Sequence, residues 1–352
     1  MVVGWDVGGA HLKAALVERG AVADVMQVPC TLWLGLEAID AALASVRARW
    51  PHARYARHAV TMTGEMVDLF PDREAGVLAL VERLAQVLGG TAHFFAEAAW
   101  LDAQQAAADW QRVASANWLA SAAWVAQRVD AALLIDIGST TTDIVPIHRA
   151  AVAAHGKSDA RRLETGELVY QGVVRTPLCA LAQRVRFRGA ECNVMNEWFA
   201  TSADVYRLTN ELDAGYDQHD TADHRGKDRA ATCGRLARMI GHDAGDASEH
   251  AWLGLARSFR TAQLDLIEQS VARVLAASTL AIDAPVVAAG CGDFLVREIA
   301  DRLGRRCIDF DRLLDASGAS ARWARVCAPS AAVALLLASR HETQSTRLAC
   351  GS

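Results

Sequence analysis

VVGWDVGGAHLKAALVE (residues 2–18) and LLIDIGSTTTDIVPI (residues 133–147) are two versions of one pattern. Each is an apolar, β-rich run ending in Asp-x-Gly, then a tight turn of small or hydroxyl residues, then a second apolar run. Glycine permits the sharp turn and lets backbone N–H groups approach a phosphate with no Cβ in the way. Asp6 and Asp136 add a carboxylate beside each turn, suited to Mg2+ or to an attacking water rather than to phosphate itself. Two such hairpins facing each other across a cleft would hold a polyphosphate from both sides. One copy alone reads as an ordinary strand and turn. The recurrence at mid-chain, with a further glycine motif at Gly290-Cys291-Gly292-Asp293, carries the reading.

Working outward, strands and helices alternate around both copies. Helical spacing covers Leu36–Arg49 and Arg73–Leu88, with short strands at Ala59–Thr63 and Ala92–Phe95. Residues 98–129 read as one or two packed helices, with Trp100, Trp110, Trp118 and Trp124 as core or helix-packing residues and Asn117 as a polar exception. After the second hairpin, RLETGELVYQGVVRTPLCAL reads as β-rich. Residues 213–231, DAGYDQHDTADHRGKDRAA, read as a long mobile loop of the kind that often forms a lid. Helices follow at Cys233–Ile240 and Trp252–Ala277, a buried strand at Pro285–Gly290, and helices at Phe294–Leu303 and Pro329–Leu337. The expected fold is α/β, with two related domains at 1–130 and 131–327 and a C-terminal helix and tail at 328–352 packing back on the first.

The bulk numbers fit this picture. The chain has 352 residues, 52% hydrophobic and 22% charged, enough for two ordinary cores. A net charge of −5 gives no broad basic footprint for nucleic acid. The eight cysteines include no Cys-x-x-Cys pair, so no structural zinc is signalled and the thiols read as reduced. Met1 leads straight into the first strand, and the apolar run Ala328–Ser339 is too short to span a bilayer. The expectation is a soluble, cytoplasmic protein with no membrane and no nucleic-acid partner. Whether it forms a homodimer is left open by the sequence.

DVGGAHLK, DIGSTTTD and VVAAGCGDFL resemble the first phosphate, second phosphate and adenosine motifs of the actin-like ATPase superfamily, over nearly the whole chain. That resemblance implies two ribonuclease-H-like domains with a phosphate-binding cleft between them. ETGELVYQGVVRTPL (164–178), CNVMNEWFATSADVYRL (192–208), DTADHRGKD (220–228) and GRLARMIGHD (234–243) narrow it. They resemble the hydantoinase/oxoprolinase-like branch, and within it the family linked to tetrahydromethanopterin- and methanofuran-dependent one-carbon metabolism. The reaction the resemblance implies is a transfer. An aminomethyl-furanmethyl diphosphate would lose diphosphate to the phenol oxygen of a glutamyl-tyramine-type acceptor. The implied partners are that phosphorylated small molecule and the phenolic acceptor, with Mg2+ as cofactor and ATP left open. A diphosphate leaving group needs the same cradle as the end of ATP: backbone N–H donors, Mg2+ and a cation.

On this reading Asp6 and Asp136 organise Mg2+, unless they only cap their turns. Gly8, Gly9, Gly138, Ser139, Thr140 and Thr141 form the phosphate turns. Lys13 meets a phosphate oxygen or is a solvated strand lysine; His11 stands where relatives often carry a small hydroxyl residue. Asp143 is a base towards phenol or water, or the partner of a cation. Arg175 could clamp a phosphate or carboxylate bidentately, or form a structural ion pair, and Glu167 precedes it in the same segment. Asp204 leads among the polar residues of 192–206. Asp223 and Lys227 could close over an anionic substrate or belong to a solvated charge run. Gly290, Gly292 and Asp293 line a nucleotide or substrate base site. The competing functions are an ATP-dependent small-molecule kinase or ATP-driven amidohydrolase, and a non-catalytic actin-like scaffold. The intact aspartates and glycine turns speak against the scaffold.

Overall fold

The computed structural model describes residues 1–97 and 99–349. These fall into two compact units, one of Met1–Ala131, Ile147–Val152 and the segment from Asp309, the other of Ala132–Pro146 and Ala153–Ile308.

The first unit is built on a six-stranded sheet. Its strands are β1 (Val2–Val7), β2 (His11–Glu18), β3 (Ala21–Pro29), β4 (Arg57–Met62), β5 (Ala92–Ala96) and β6 (Ala99–Leu101), in the order β3-β2-β1-β4-β5-β6. β1 pairs antiparallel with β2 and parallel with β4. Every residue of β1 is buried because both faces are covered. Val3, Trp5 and Val7 share a core with Ile39, Leu43 and Leu80 of the helices Glu37–Arg49 and Arg73–Leu88. On the opposite face Gly4 lies flush against Ser330 and Ala334 of the helix Ala328–Ala349. Asp72 starts the Arg73–Leu88 helix by accepting the Ala75 N–H at 2.8 Å.

A second set of strands, most of it in the second unit, repeats the plan: β7 (Ala132–Ile137), β8 (Thr142–His148), β9 (Ala151–Val152), β10 (Leu168–Val169), β11 (Arg184–Phe187), β12 (Ala190–Asn193), β13 (Val286–Ala289) and β14 (Cys307–Asp309), with β9 and the end of β8 counted in the first unit. The main sheet runs β10-β8-β7-β13-β14, with β9 also on β8 and β11–β12 as a separate hairpin. In both sheets the strand carrying Asp-x-Gly is central. Its hairpin partner lies on one side and a parallel strand on the other. This duplicated ribonuclease-H-like order is the α/β fold that the sequence pattern predicts.

Two stretches differ from the sequence expectation. Residues 99–129 contain strand β6 and the helices Ala103–Ala108, Trp110–Val113 and Asn117–Ala126, rather than only the one or two packed helices expected. The segment 162–181 is not β-rich. A helix over Asp159–Thr165 ends on Gly166 in the left-handed region, and β10 is two residues long. Val173 and Val174 are buried without belonging to a strand, so their apolar character reflects packing rather than sheet pairing. Among the described residues no single helix is long and apolar enough to cross a membrane.

Candidate functional site

The two Asp-x-Gly turns are closed by the same bond. Gly8 N–H donates to the His11 carbonyl at 3.0 Å, and Gly138 N–H donates to the Thr141 carbonyl at 2.8 Å. The closure leaves the turn residues between them outside either ladder. Among the described residues the N–H groups of Gly9, Ala10, Ser139 and Thr140 meet no protein hydrogen-bond acceptor. Successive N–H donors of this kind form an anion-binding concavity.

In the first unit, strand register sets a polar row. Asp6 on β1 stands opposite Lys13 on β2 and opposite Thr61 on β4. Lys13 Nζ lies 3.8 Å from Asp6, whose residue is only 4% exposed. Lys13 is therefore held by a carboxylate and is not a solvated strand lysine. Thr63 N–H donates to the Val7 carbonyl at 3.0 Å, which lays the segment Thr63-Gly64-Glu65 along the first turn. Glu65 is 1% exposed; its Oε1 accepts from the Ser115 hydroxyl at 2.7 Å and from Arg73 at 3.3 Å. Its Oε2, and the Thr61 hydroxyl, are buried with no protein hydrogen-bond partner among the described residues. A buried polar atom left in that state asks for a ligand or solvent partner. Sequence reading ends a short strand at Thr63 and gives Glu65 no role.

In the second unit, the predicted residues gather around Asp136. Gly290 has φ +85°, which favours glycine, and a Cβ there would collide with the Ile137 carbonyl and the Asp136 carboxylate. Gly292 N–H donates to the Ile137 carbonyl at 2.8 Å. Gly172 packs on the backbone of Ser139 and Thr140, where a Cβ would also collide. The chain then runs past the turn, with Val174 and Arg175 N–H groups both donating to the Ser139 carbonyl, at 3.1 and 2.9 Å. Asp136, Gly138, Ser139, Thr140, Thr141, Arg175, Gly290 and Gly292 thus form one neighbourhood. Burial pushes the Arg175 guanidinium below its usual pKa, with Tyr170 opposing the shift. His219 is missed by sequence reading. Burial first, then the charges of Arg175 and Lys227, push its imidazole down to about 4.

The remaining candidates lie elsewhere in the second unit's packing. Asp143 forms an ion pair with buried Arg162 at 2.8 Å, which is the cation-partner alternative. Glu167 accepts the backbone N–H groups of His155 and Gly156 at 2.6 and 2.7 Å and the Thr165 hydroxyl at 3.0 Å; it holds a loop. Asp293 opens a helix and pairs with Arg297 at 2.9 Å. Asp204, fully buried, binds Arg207 at 2.7 Å and Arg235 at 2.8 Å, and accepts the Thr201 N–H at 3.0 Å. Arg235 continues to Asp223 at 3.0 Å, Arg207 to Asp217 at 2.6 Å, and Lys227 to Asp217 at 3.2 Å. Burial would raise the Asp217 carboxyl, but the Arg207 bonds and Lys227 hold it below the usual range. Segment 213–231 is anchored at Asp217, Asp223 and Lys227, while residues 224–230 form an exposed, charged run. Tyr216, Asp217 and Thr221 are buried, and the ion pairs fasten it to the helices Ser202–Leu208 and Arg229–Arg238.

Mg2+ would need carboxylates that leave room for substrate oxygens, because it keeps a near-octahedral shell and is commonly held by one or two carboxylates plus phosphates. Among the described residues no group of three or more His, Cys, Asp or Glu could hold a metal by itself. Single carboxylates beside glycine turns, Asp6 and Asp136, fit that sparse mode.

Comparison with known proteins agrees with this architecture. The model of the hydantoinase/oxoprolinase family matches residues 59–327. The chain is 28% identical over 303 residues to the (4-{4-[2-(gamma-L-glutamylamino)ethyl]phenoxymethyl}furan-2-yl)methanamine synthase of Methanocaldococcus jannaschii, covering 86% of this chain and 89% of that protein. It is 32% identical over 154 residues to the synthase of the same name from Methanococcus vannielii, covering 44% of this chain and 69% of that protein. A nucleotide-free acetone carboxylase structure superimposes with a TM-score of 0.54 at 9% identity, over 87% of this chain and 67% of that one, a likeness of fold. With the family pattern running across most of its length, the chain belongs to the hydantoinase/oxoprolinase family.

Proposed function

We propose that this protein is a transferase of methanofuran-type cofactor biosynthesis. It would join an aminomethyl-furanmethyl diphosphate to the phenol oxygen of a glutamyl-tyramine or tyrosine acceptor and release diphosphate. The observation that carries this reading is the pair of Asp-x-Gly turns, each closed by the same backbone bond and each presenting N–H donors to an anion. The similarity to two methanofuran-pathway synthases supports the choice of substrates.

The bonds balance simply. The phenol oxygen forms a C–O bond to the furanmethyl carbon, the C–O bond to diphosphate breaks with its electron pair, and the phenol proton passes to a base. The turn N–H groups and Arg175 would stabilise the departing diphosphate as charge gathers on it. Asp6 and Asp136 would hold Mg2+, which supplies charge neutralisation at the diphosphate when bound. Lys13 would keep the Asp6 carboxylate oriented. We assign the proton acceptor to Glu65 and not to Asp143. Each carboxylate has an arginine partner, Arg73 for Glu65 and Arg162 for Asp143; what favours Glu65 is its Oε2, which has no protein hydrogen-bond partner among the described residues.

The supporting experiment is ligand-dependent melting. Mg2+ with inorganic diphosphate should raise the melting temperature of the wild-type protein and fail to raise that of Asp136→Asn. Equal stabilisation of both would remove Asp136 from the site. The family match keeps an ATP-dependent kinase or amidohydrolase as the second reading. It predicts stabilisation by Mg2+ with ATP and none by diphosphate alone.

A further inference from the structure

A cavity of about 360 Å³ opens in the first unit on the face of β1 opposite Asp6. Its volume is that of a small-molecule site. The walls are ring systems held in fixed orientations. Trp5 donates its indole N–H to His58 Nδ1 at 3.1 Å, and Trp50 donates its own to Asp24 at 2.9 Å. All three rings belong to buried residues and line the cavity. Because His58 Nδ1 accepts from Trp5, its proton sits on Nε2, and burial keeps the imidazole neutral. The cavity is thus lined by a neutral imidazole held in one orientation among apolar surfaces.

The charge on the lining has one sign. Arg47 and Arg54 both line it, and no acidic residue does. Arg47 donates to the Val87 carbonyl and Arg54 stacks on Tyr55, 4.6 Å from the ring centroid. Neither arginine forms an ion pair with a carboxylate among the described residues, so both charges remain available at the mouth. Flat apolar walls and uncompensated guanidinium groups suit a flat ligand that carries an anion.

We propose that this cavity is a second ligand site that takes a small arylcarboxylate, with the ring between Trp5, Trp50 and His58 and the carboxylate at Arg47 and Arg54. It is separate from the phosphate turns, because Trp5 and Asp6 point to opposite faces of the same strand.

The test is calorimetric titration of the full-length protein with benzoate, benzyl alcohol and benzylamine, three probes sharing a ring and differing in charge. The expected result is saturable binding of benzoate at millimolar or lower concentration and at least about tenfold weaker binding of the other two. The double variant Arg47→Ala, Arg54→Ala changes only exposed side chains and should weaken benzoate by at least about tenfold. Ala53→Phe, which fills the cavity, should abolish binding; if it fails to fold, the arginine variant decides alone. No saturable benzoate binding up to about 10 mM, equal binding of benzylamine, or unchanged binding by the arginine variant would each overturn the proposal.

Discussion

The Ser115 hydroxyl donates to Glu65 Oε1 at 2.7 Å, fixing a fully buried carboxylate on the segment that packs against the first glycine turn, while its other oxygen has no protein hydrogen-bond partner among the described residues. A carboxylate held this way is oriented at one oxygen and available at the other. Glu65→Gln keeps the shape and removes the basicity. It should lower kcat by about two orders of magnitude with KM and melting temperature nearly unchanged. Steady-state kinetics checks this. A variant with wild-type kcat would return the proton to another acceptor.

Asp136→Asn should abolish turnover and leave the melting temperature nearly unchanged, because the amide fits the same space beside Gly290. Thermal melts run beside the activity assay separate loss of chemistry from loss of fold. Full activity in this variant would sink the assigned role.

The Asp204 network should behave in the opposite way. Asp204→Ala leaves Arg235 buried without its main partner and should cost about 3–5 kcal/mol of stability. Denaturant unfolding measures it, and the folded fraction should retain its turnover per molecule. Removing residues 213–231 should likewise cost folded protein before it costs chemistry, since Asp217, Asp223 and Lys227 all belong to that network.

His58 gives a pH signature. Its folded pKa is pushed down to about 4, chiefly by burial and also by Arg47 and His93, from an ordinary 6.5. Between those values the unfolded chain binds a proton that the folded chain does not. Stability is therefore full above the ordinary pKa and falls as pH drops through 6.5 towards 4, by up to about 3 kcal/mol from this group. His219 adds to the same window. His58→Gln should flatten the slope of unfolding free energy between pH 6.5 and 4. An unchanged slope would mean that His58 does not titrate in that range.

What the sequence made legible was what short-range chemistry controls. Asp-x-Gly followed by small residues can do little but turn, so Gly8 and Gly138 marked both hairpins, and the duplicated sheet followed from them. Glu65 stayed hidden because its meaning depends on Ser115, fifty residues away, and on a strand register that brings Thr61 beside Asp6. Asp204, Asp223 and Lys227 looked like substrate contacts or solvated charges because ion pairing among Arg207, Asp217 and Arg235 is a tertiary property. Val173 and Val174 suggested a strand because burial against the Ser139 turn and burial in a sheet leave the same apolar trace.

The most direct measurement is mass spectrometry of products formed by purified protein with Mg2+, an aminomethyl-furanmethyl diphosphate and glutamyl-tyramine, with and without ATP. The account predicts the aryl ether and one equivalent of diphosphate in the absence of ATP. No ether, together with ATP cleavage or a phosphorylated acceptor when ATP is supplied, would contradict it.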